Sequence, residues 1–286
     1  MASGFSLIAD SGATKTNWLL HTPEGSYPMQ TMGFHPARID NAPAASALSA
    51  VWPDHIPRNL IGAVHFYGSG CLREPGNSTM RGILSGLFPE ARINVRSDLE
   101  GAAISTLGKF PGLAAILGTG ASAARWSGQQ LTHVSPSLGF LLGDEGSGAD
   151  LGRVLLRDVL YGQAPDELQQ AFRTRNPYSW DELLHGINTS PHPAHLLGQY
   201  ALMLGEMADH PYVRGLVRAR FQAFTDQHLL KLDPDRSMSV GFNGSVAWTF
   251  SELLQEVMES SGFRNIVILR DPLPALSLFH QKGTGI

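Results

Sequence analysis

Hydrophobic positions in the first third of the chain recur with the periods of short strands and helices. An apolar run leads from Phe5 to Asp10, a turn of small residues follows, and a second apolar run extends to Leu20, which predicts a β-hairpin. Further strands are predicted at 27–34, 60–67 and 92–96, and helices at 44–51, at 78–87 and from about Glu100. This order of elements indicates an α/β fold with a mixed sheet.

The pattern starts again after residues 109–112, the best candidate for a domain boundary. A strand at 113–117 enters a Gly/Thr turn and a second strand at 123–126, which is a faint internal repeat of the opening hairpin. A Gly-rich polar stretch at 139–152 leads into a predicted helix at about 153–161.

The rest of the chain is mostly helical. Residues 165–232 have a helical pattern, two last strands are predicted at 238–242 and 266–269, and a short helix follows Pro272. We therefore predict an N-terminal domain over 1–110, a second domain with a helical insertion over 111–271, and a helix over 272–286 that returns to the first domain.

Composition narrows the class of protein. The chain has 286 residues, 43% of them hydrophobic and 16% charged, which suits a soluble globular protein of two domains. A net charge of −4 gives no reason to expect a nucleic-acid or membrane partner. The single cysteine, Cys71, excludes an internal disulfide and a cysteine cluster for zinc or iron–sulfur. With no apolar run of membrane-spanning length and no signal-peptide pattern at the start, we expect a cytoplasmic protein.

The turn of the opening hairpin carries the first candidate chemistry. Gly12 allows the backbone to approach a ligand closely, and the Thr14 and Thr16 hydroxyls with Lys15 can bind phosphate oxygens. Asp10, at the end of the first strand, can hold Mg²⁺ through water. A plain hairpin whose polar turn faces solvent explains this stretch about equally well.

The turn of the second hairpin fits two interpretations. No stretch supplies the G-x-x-x-x-G-K-[ST] sequence of a Walker A loop, but residues 118–123 fit the G-x-G-x-x-A variant of a dinucleotide-binding turn. That variant requires a long helix directly after the turn, whereas a short strand and a hairpin turn follow here. Two Gly/Thr hairpins, one opening each half, instead suggest two phosphate loops that act on one nucleoside triphosphate.

Five stretches resemble, in family order, the motifs of N-acetylglucosamine kinases in the sugar kinase/Hsp70/actin superfamily. They are 10–16 and 117–122 (the two phosphate loops), 143–148 (the G-D-E-G-S element, shared with BadF/BadG activator ATPases), 241–246 (the nucleoside-binding turn) and 273–279 (the closing helix). The match spans nearly the whole chain. It implies a two-domain actin-like ATPase fold of the ribonuclease H-like class, with mixed sheets flanked by helices and the ligands in a cleft between the domains.

The resemblance also implies roles for individual residues. Asp98 takes the place of the catalytic base that accepts the proton of a sugar hydroxyl, although Ser97 or Asp98 could simply cap the next helix. Asp10 takes the place of the aspartate that positions Mg²⁺, and Gly244 that of the glycine which admits the nucleoside of ATP. The implied phosphate contacts are Gly12, Thr14, Lys15, Thr16, Gly118, Thr119 and Gly120.

The implied sugar site is assembled from both domains. Asp144 takes the place of a carboxylate that hydrogen-bonds sugar hydroxyls, and backbone groups of Ser137, Leu138 and Gly139 lie where the family holds the sugar. His35 is a departure, because similar kinases have an asparagine there. An imidazole can also donate and accept hydrogen bonds, but its different shape leaves the preferred sugar open.

The leading hypothesis is an ATP- and Mg²⁺-dependent amino-sugar kinase, acting on N-acetylglucosamine or a relative such as N-acetylmuramic acid. We also expect a homodimer. An activator ATPase of the BadF type is disfavoured, because each subunit of those proteins gives two cysteines to a shared iron–sulfur cluster and this chain has only Cys71. A non-catalytic sensor of nucleotide or sugar is the third hypothesis, and Asp10 and Asp98 argue against it.

Overall fold

A computed structural model describes residues 4–12 and 14–283, with the side chains of residues 282 and 283 left out. The chain forms two compact units: the described part of 1–109 together with that of 271–286, and residues 110–270. No helix of these described residues is long and apolar enough to cross a membrane.

The described strands fall into two sets of five. Those of the first unit are β1 (Ser6–Ser11), β2 (Lys15–Thr22), β3 (Gly25–Met32), β4 (Ala63–Gly68) and β5 (Arg92–Ser97). Those of the second unit are β6 (Gly112–Leu117), β7 (Ala121–Trp126), β8 (Leu131–Val134), β9 (Val240–Asn243) and β10 (Ile266–Leu269).

The described helices surround these strands. They are α1 (Asn41–Ser49), α2 (Gly76–Leu87), α3 (Asp98–Leu107), α4 (Gly139–Leu142), α5 (Gly148–Leu160), α6 (Asp166–Arg175), α7 (Trp180–Thr189), α8 (Pro193–Glu206), α9 (Pro211–Phe224), α10 (Leu230–Leu232), α11 (Ser245–Thr249), α12 (Ser251–Ser260) and α13 (Leu273–Gly283). A 3₁₀ turn spans Arg58–Leu60, and a π-helical turn, Thr225–Leu229, joins α9 to α10.

The first sheet has the strand order β3-β2-β1-β4-β5. The first three strands run antiparallel to their neighbours, whereas β4 and β5 run parallel to β1. The central strand β1 is apolar along its middle, and Leu7 and Ala9 are fully buried. Trp18 packs edge-on against Phe34, with ring centroids 5.1 Å apart, and donates a hydrogen bond to Thr31 Oγ1 at 2.9 Å, so β2, β3 and the segment after β3 share one core.

The second sheet repeats the same plan. Its strand order is β8-β7-β6-β9-β10, with the hairpin strands antiparallel and β9 and β10 parallel to β6. The faint sequence repeat at the two Gly/Thr turns therefore corresponds to two sheets of identical topology. Large buried side chains from helices and strands, including Phe221, Phe224 and Phe242, form the core of this unit.

The predicted α/β fold with two mixed sheets is confirmed, and two elements differ from the prediction. The strand β8 was not predicted, because Leu131 to Val134 is short and its middle residues are exposed. Helix α5 begins at Gly148, not at about residue 153, because Ser147 caps it by accepting a hydrogen bond from the Asp150 N–H. The placement of ligands between two domains stays a prediction.

Candidate active site

Three strand ends of the first unit meet at one edge of the sheet. Ser11, the last residue of β1, pairs with Gly68 at the end of β4, which in turn pairs with Ser97 at the end of β5. The residues that follow these ends therefore lie side by side, and they include Gly12 and Asp98. The carboxyl edge of parallel strands is where open α/β sheets bind their ligands.

The first loop is fixed by a small hydroxyl network. Gly12 N donates to Lys15 O at 3.0 Å, which closes the turn; Ala13 lies outside the described residues. Thr16 is fully buried, and its Oγ1 lies 2.7 Å from Ser11 Oγ and accepts from Phe34 N at 2.9 Å. Its hydroxyl is thus occupied in holding the loop against the segment after β3.

The two other side chains of this loop are free to face a ligand. Thr14 and Lys15 are exposed, while the Thr14 carbonyl accepts from Gly33 N at 3.0 Å. The positive charge of Lys15 lowers the pKa of Asp10, so the ammonium lies on the same side of the loop as that carboxylate. A hydroxyl and an ammonium anchored in this way suit phosphate oxygens.

Capping of α3 falls to Ser97, which leaves the side chain of Asp98 available. Ser97 Oγ accepts from Glu100 N at 3.2 Å, and Glu100 Oε2 accepts from Ser97 N at 3.0 Å, a complete capping box. Asp98, the first helical residue, is bonded through Oδ1 to its neighbour Leu99 N at 2.8 Å. The cap of α3 is therefore supplied by Ser97 and not by Asp98.

Both predicted carboxylates of this unit have raised pKa values. Burial raises the pKa of Asp98 to about 6, against the opposing hydrogen bond from Leu99 N. Burial, followed by the charges of Asp98 and Asp271, raises the pKa of Asp10 to about 7. The sequence pattern did not single out Asp271, although an Asp-Pro pair just before a helix is a recognisable start signal. It accepts from Leu273 N at 3.0 Å at the start of α13.

These carboxylates suit a magnesium ion. Carboxylate oxygen is a hard ligand, and Mg²⁺ in phosphoryl-transfer sites is bound through one or two carboxylates, water and phosphate. Within residues 4–12 and 14–283, no three His, Cys, Asp or Glu side chains are grouped so that they alone could hold a metal. The donor set at Asp10 therefore fits a magnesium ion that completes its coordination with water and substrate oxygens.

His35 is held in one tautomer beside the strand-end loop after β4. Its Nδ1 accepts from Ala37 N at 3.2 Å, so the proton of the neutral ring is on Nε2. Burial and then the charge of Arg38 lower the pKa of this imidazole. A Cβ built on Gly70 would lie 2.7 Å from Nε2, so only a glycine leaves room for the ring there. His35 thus carries its N–H donor on Nε2.

In the second unit, the N-terminus of α5 holds the second loop. Gly118 N donates to Gly120 O at 3.0 Å within the loop. From α5, Gly148 N donates to Gly118 O at 2.8 Å and Ala149 N donates to Thr119 O at 3.1 Å. The first amides of the helix, which have no partners inside it, are thus used to fix the carbonyl groups of the loop.

Asp144 lies against the same loop. Its carboxylate accepts from Ala121 N, and a Cβ built on Gly120 would lie 3.1 Å from Asp144 Oδ2. Burial raises the pKa of Asp144 in spite of that hydrogen bond, and the charge of Glu145 adds to the rise. Asp144 has a φ of 56°, a conformation that costs a non-glycine residue free energy.

Residues 137–139, which are the predicted backbone contacts to the sugar, are joined to the segment that carries Asp144 by the short helix α4. Gly143 N donates to Gly139 O at 2.8 Å, so Gly139 and Gly143 bracket this short helix. Ser137 and Leu138 precede it and are exposed. The structure therefore brings 137–139 next to the segment that carries Asp144.

Gly244 supports the second loop. It has a φ of 118°, and a Cβ at this position would lie 2.3 Å from Leu117 O. No other residue fits, because both the backbone conformation and the contact exclude a side chain. The residue thus lets the start of α11 approach the backbone of Leu117 and Gly118.

One solved structure decides the family. A putative N-acetylglucosamine kinase from Porphyromonas gingivalis superposes with a TM-score of 0.90 at 31% sequence identity, covering 98% of this chain and 99% of the other. The chain belongs to the N-acetylglucosamine kinase family of actin-like sugar kinases.

More distant structures share the family fold. A putative N-acetylglucosamine kinase from Chromobacterium violaceum has a TM-score of 0.76 at 18% identity, over 98% of this chain and 100% of its own. A ROK family glucokinase from Streptomyces griseus, in complex with glucose and AMPPNP, has a TM-score of 0.56 at 13% identity, over 93% of this chain and 94% of its own. No family model matches the chain, and no curated protein shows a significant match.

Proposed function

We propose that the protein transfers the γ-phosphoryl group of Mg-ATP to a hydroxyl of an amino sugar, N-acetylglucosamine or a relative. The observation that carries the proposal is Asp98: a capping box built by Ser97 and Glu100 frees it from capping, and it lies at the carboxyl edge of the first sheet. Membership of the N-acetylglucosamine kinase family supports the same reaction.

Asp98 acts as the general base in this proposal. Its pKa of about 6 is below neutral pH, so the side chain is a carboxylate that can accept a proton, yet it is basic enough to do so as the new bond to phosphorus forms. Phosphoryl transfer needs little more from the protein than positioning and charge stabilisation. The base therefore has to be paired with groups that hold the phosphates.

Two loops supply those groups. In the first unit, the Lys15 ammonium and Thr14 hydroxyl face the β- and γ-phosphates, while the Gly12 N–H, which donates to Lys15 O, and Thr16 keep the loop in shape. In the second unit, the backbone of 118–120 binds phosphate, and Gly244 leaves space for the nucleoside. When bound, Mg²⁺ neutralises developing charge on the phosphate oxygens, and Asp10 would hold it.

The proposal assigns the sugar to His35 and Asp144. The His35 Nε2–H donates to an acceptor of the substrate, and Asp144 accepts from a sugar hydroxyl, next to the backbone of 137–139. A donor at His35 suits a carbonyl oxygen such as that of an acetamido group, which favours an N-acetylated sugar. A homodimeric state and a cytoplasmic location stay predictions.

A panel of sugars tests the proposal. The purified protein is mixed with ATP, Mg²⁺ and one sugar at a time, and ADP release is measured by a coupled assay with N-acetylglucosamine, N-acetylmannosamine, N-acetylmuramic acid, glucosamine and glucose. We expect the highest kcat/KM with an N-acetylated sugar. ADP release that is independent of every sugar would contradict the proposal.

A pair of variants tests the assignment of the base. Asp98→Asn should reduce kcat by roughly 10²-fold or more, the usual scale for loss of a positioned general base, and should leave ATP binding intact. Ser97→Ala is the matched control, because it removes the cap and keeps the carboxylate. Full activity in Asp98→Asn would show that another group accepts the proton.

A further inference from the structure

A helical irregularity lies next to the segment that carries Asp144. The π-helical turn Thr225–Leu229 interrupts an otherwise continuous helix from α9 into α10. Single π-turns inside helices occur frequently at functional sites, because they redirect side chains that a regular helix would place elsewhere. His228 is the residue that this turn directs toward the Gly143–Ser147 segment.

His228 links two distant parts of the chain. Its Nε2 lies 3.1 Å from Glu145 Oε2, and its Nδ1 lies 2.6 Å from Ser135 Oγ. His228 and Ser135 are each 8% exposed, and the imidazole also packs on Phe224 with ring centroids 4.9 Å apart. The ring is therefore fixed in place by two hydrogen bonds and one aromatic contact.

The charge state of Glu145 sets the direction of its hydrogen bond to His228. Burial tends to raise the pKa of Glu145, but hydrogen bonds from its own N–H and from His228, with the charge of Arg220, lower it below its ordinary value. An ionised carboxylate only accepts, so His228 donates from Nε2 to Glu145, while Nδ1 and Ser135 Oγ share the second hydrogen bond. The same order of groups occurs in hydrolytic triads, but Ser135 is buried and out of reach of a substrate.

A second anchor holds the next residue of the segment. Asp150, which is fully buried, accepts from Gly146 N at 2.9 Å. The same carboxylate accepts from Arg220 Nε at 2.6 Å and from Arg153 Nη2 at 2.7 Å. Arg220 and His228 lie two turns apart on the same helix, so one face of α9 and the π-turn holds the segment at two successive residues.

The two anchored residues directly follow the residue with an unfavourable backbone conformation. Asp144, at a φ of 56°, precedes the anchored Glu145 and Gly146, and its carbonyl accepts from Ser147 N at 3.0 Å. A left-handed conformation of a non-glycine residue persists only where its surroundings hold it. The hydrogen bonds at Glu145 and Gly146 act there together with the bond from Ser147 N to the Asp144 carbonyl and the bond from Ala121 N to its carboxylate.

We propose that His228 is a positioning residue for sugar binding: it holds Glu145, and through Glu145 it keeps the Asp144 backbone in the conformation that presents its carboxylate. The inference rests on the proposed function, in which Asp144 accepts from a sugar hydroxyl. The second loop is held separately by the amides of Gly148 and Ala149, so the effect falls on the sugar more than on ATP.

The main test is a double-mutant cycle between His228 and Asp144. His228→Phe keeps the ring that packs on Phe224 and removes both hydrogen bonds. We expect it to raise the KM for the sugar about tenfold, which corresponds to roughly 1.4 kcal/mol, with kcat and the KM for ATP changed less than about threefold. In an Asp144→Asn background, the same change should have almost no further effect on the KM for the sugar, because the residue it acts through is already altered.

Amide hydrogen exchange supplies a readout that needs no substrate. In His228→Phe, the amides of Glu145 to Ser147 should exchange at least tenfold faster than in the wild type, since local opening is easier when an anchor is lost. Ser135→Ala should show a smaller acceleration. Gln227→Ala is the matched control, because this exposed neighbour on the π-turn accepts a hydrogen bond from Lys231 Nζ at 2.8 Å.

The outcomes separate this inference from the proposed function. Faster exchange with no turnover of any sugar would leave the anchoring supported and would overturn the proposed function alone. Unchanged exchange in His228→Phe, or an effect on KM that simply adds to that of Asp144→Asn, overturns the positioning role. If His228→Phe does not fold, Glu145→Gln takes its place in the same cycle, because Gln keeps the size of the side chain and loses its charge.

Discussion

At the scale of single residues, the candidate site depends on which side chains cap helices or hold loops and which do not. Ser97 caps α3 and Thr16 fastens the first loop, so Asp98 and Lys15 keep atoms free for ligands. Burial then adjusts the carboxylates, with pKa values of about 6 for Asp98 and about 7 for Asp10. These shifts have consequences for rate and for stability that can be measured separately.

The first consequence is the pH dependence of the rate. A general base is active when deprotonated, so kcat/KM should be level at high pH and fall tenfold per pH unit below a pKa near 6. Rates measured between pH 5 and 9 with saturating Mg²⁺ provide the check. Ser97→Ala should retain the same midpoint, whereas the residual activity of Asp98→Asn should lose the acidic limb. An acidic limb that persists unchanged in Asp98→Asn would assign the midpoint to another group.

The second consequence is that the charge of Asp98 destabilises the folded state at neutral pH. The pKa of Asp98 is raised from 3.8 to about 6, so the folded state binds the proton more tightly than the unfolded state does. Its favourable contribution is complete below pH 3.8 and is lost as the pH rises through about 6. Asp98→Asn should therefore be more stable than the wild type at pH 8, by about 1 to 3 kcal/mol, with no such gain near pH 4.

Chemical denaturation at the two pH values measures this difference. Ser97→Ala serves as the comparison, because losing a helix cap should cost about 1 kcal/mol at either pH. A stability gain of Asp98→Asn that is equal at pH 4 and pH 8 would have a cause other than the charge.

At the scale of elements, the sequence pattern predicted the strands, turns and helices that depend on residues close together in the chain. The hairpin β1–β2 follows from two apolar runs on either side of a small-residue turn, and α3 follows from a cap at Ser97 before an apolar run. The candidate site could be predicted in the same way, because Asp10, Asp98 and both loops lie directly at the ends of predicted strands. What the sequence left open depends on contacts between distant residues: Glu145 and His228 are 83 positions apart, and no local pattern pairs them.

Thr16 shows the same limit within a single motif. A threonine in a Gly-rich turn suggests a phosphate contact, but its position in β2 makes it an inward-facing residue, paired with Ser11 across the hairpin. Whether a hydroxyl faces a ligand or the core depends on the two-residue period of the strand, counted from the turn. Lys15, the first residue of β2, is exposed and Thr16, the second, is buried, so these two neighbours differ by one alternation.

Gly244 provides a test at the level of the turn between β9 and α11. Gly244→Ala places a Cβ 2.3 Å from Leu117 O at a φ of 118°, so the backbone has to move away from the second loop. We expect the free energy of unfolding to fall by about 2 kcal/mol or more. Relative to the wild type, the KM for ATP should rise more than the KM for the sugar. Thermal melts and steady-state kinetics measure both.

Gly215→Ala is the control for this change. Gly215 lies inside α9, where an added Cβ meets nothing within 4 Å, so the same substitution should stabilise the protein by about 0.5 to 1 kcal/mol. Gly244→Ala with wild-type stability and an unchanged KM for ATP would mean that the loop tolerates displacement.

At the scale of the whole molecule, the chain leaves the second sheet and ends on the first unit. Helix α13 packs on α3, β1 and β2 of that unit. Three side-chain contacts accompany the packing: His280 stacks on His65 with ring centroids 3.6 Å apart, His280 Nε2 lies 2.8 Å from Tyr67 Oη, and Ser277 Oγ lies 2.8 Å from His21 Nε2. The C-terminal helix is therefore held in part through imidazole rings.

This attachment should make the first unit sensitive to acid. Burial, and then Arg92 and Arg96, lower the pKa of His65 to about 4, while burial, His65 and Arg96 lower that of His280 to about 3. The unfolded chain takes up these protons near pH 6.5 and the folded chain does not, so stability is complete above pH 6.5 and falls toward pH 4. Each ring contributes up to about 1.4 kcal/mol of that loss per pH unit.

The measurement is the fall in Tm between pH 7.5 and pH 5.5 in the wild type and in His65→Phe. Phenylalanine keeps a ring stacked on His280 and removes one group that takes up a proton on unfolding, so the fall should be clearly smaller in the variant. His133→Gln, a change at an exposed histidine of β8 in the other unit, should leave the fall as it is in the wild type. Equal falls in the wild type and His65→Phe would mean that the neutral pair does not govern the attachment of α13, and that the acid sensitivity of the first unit comes from other groups.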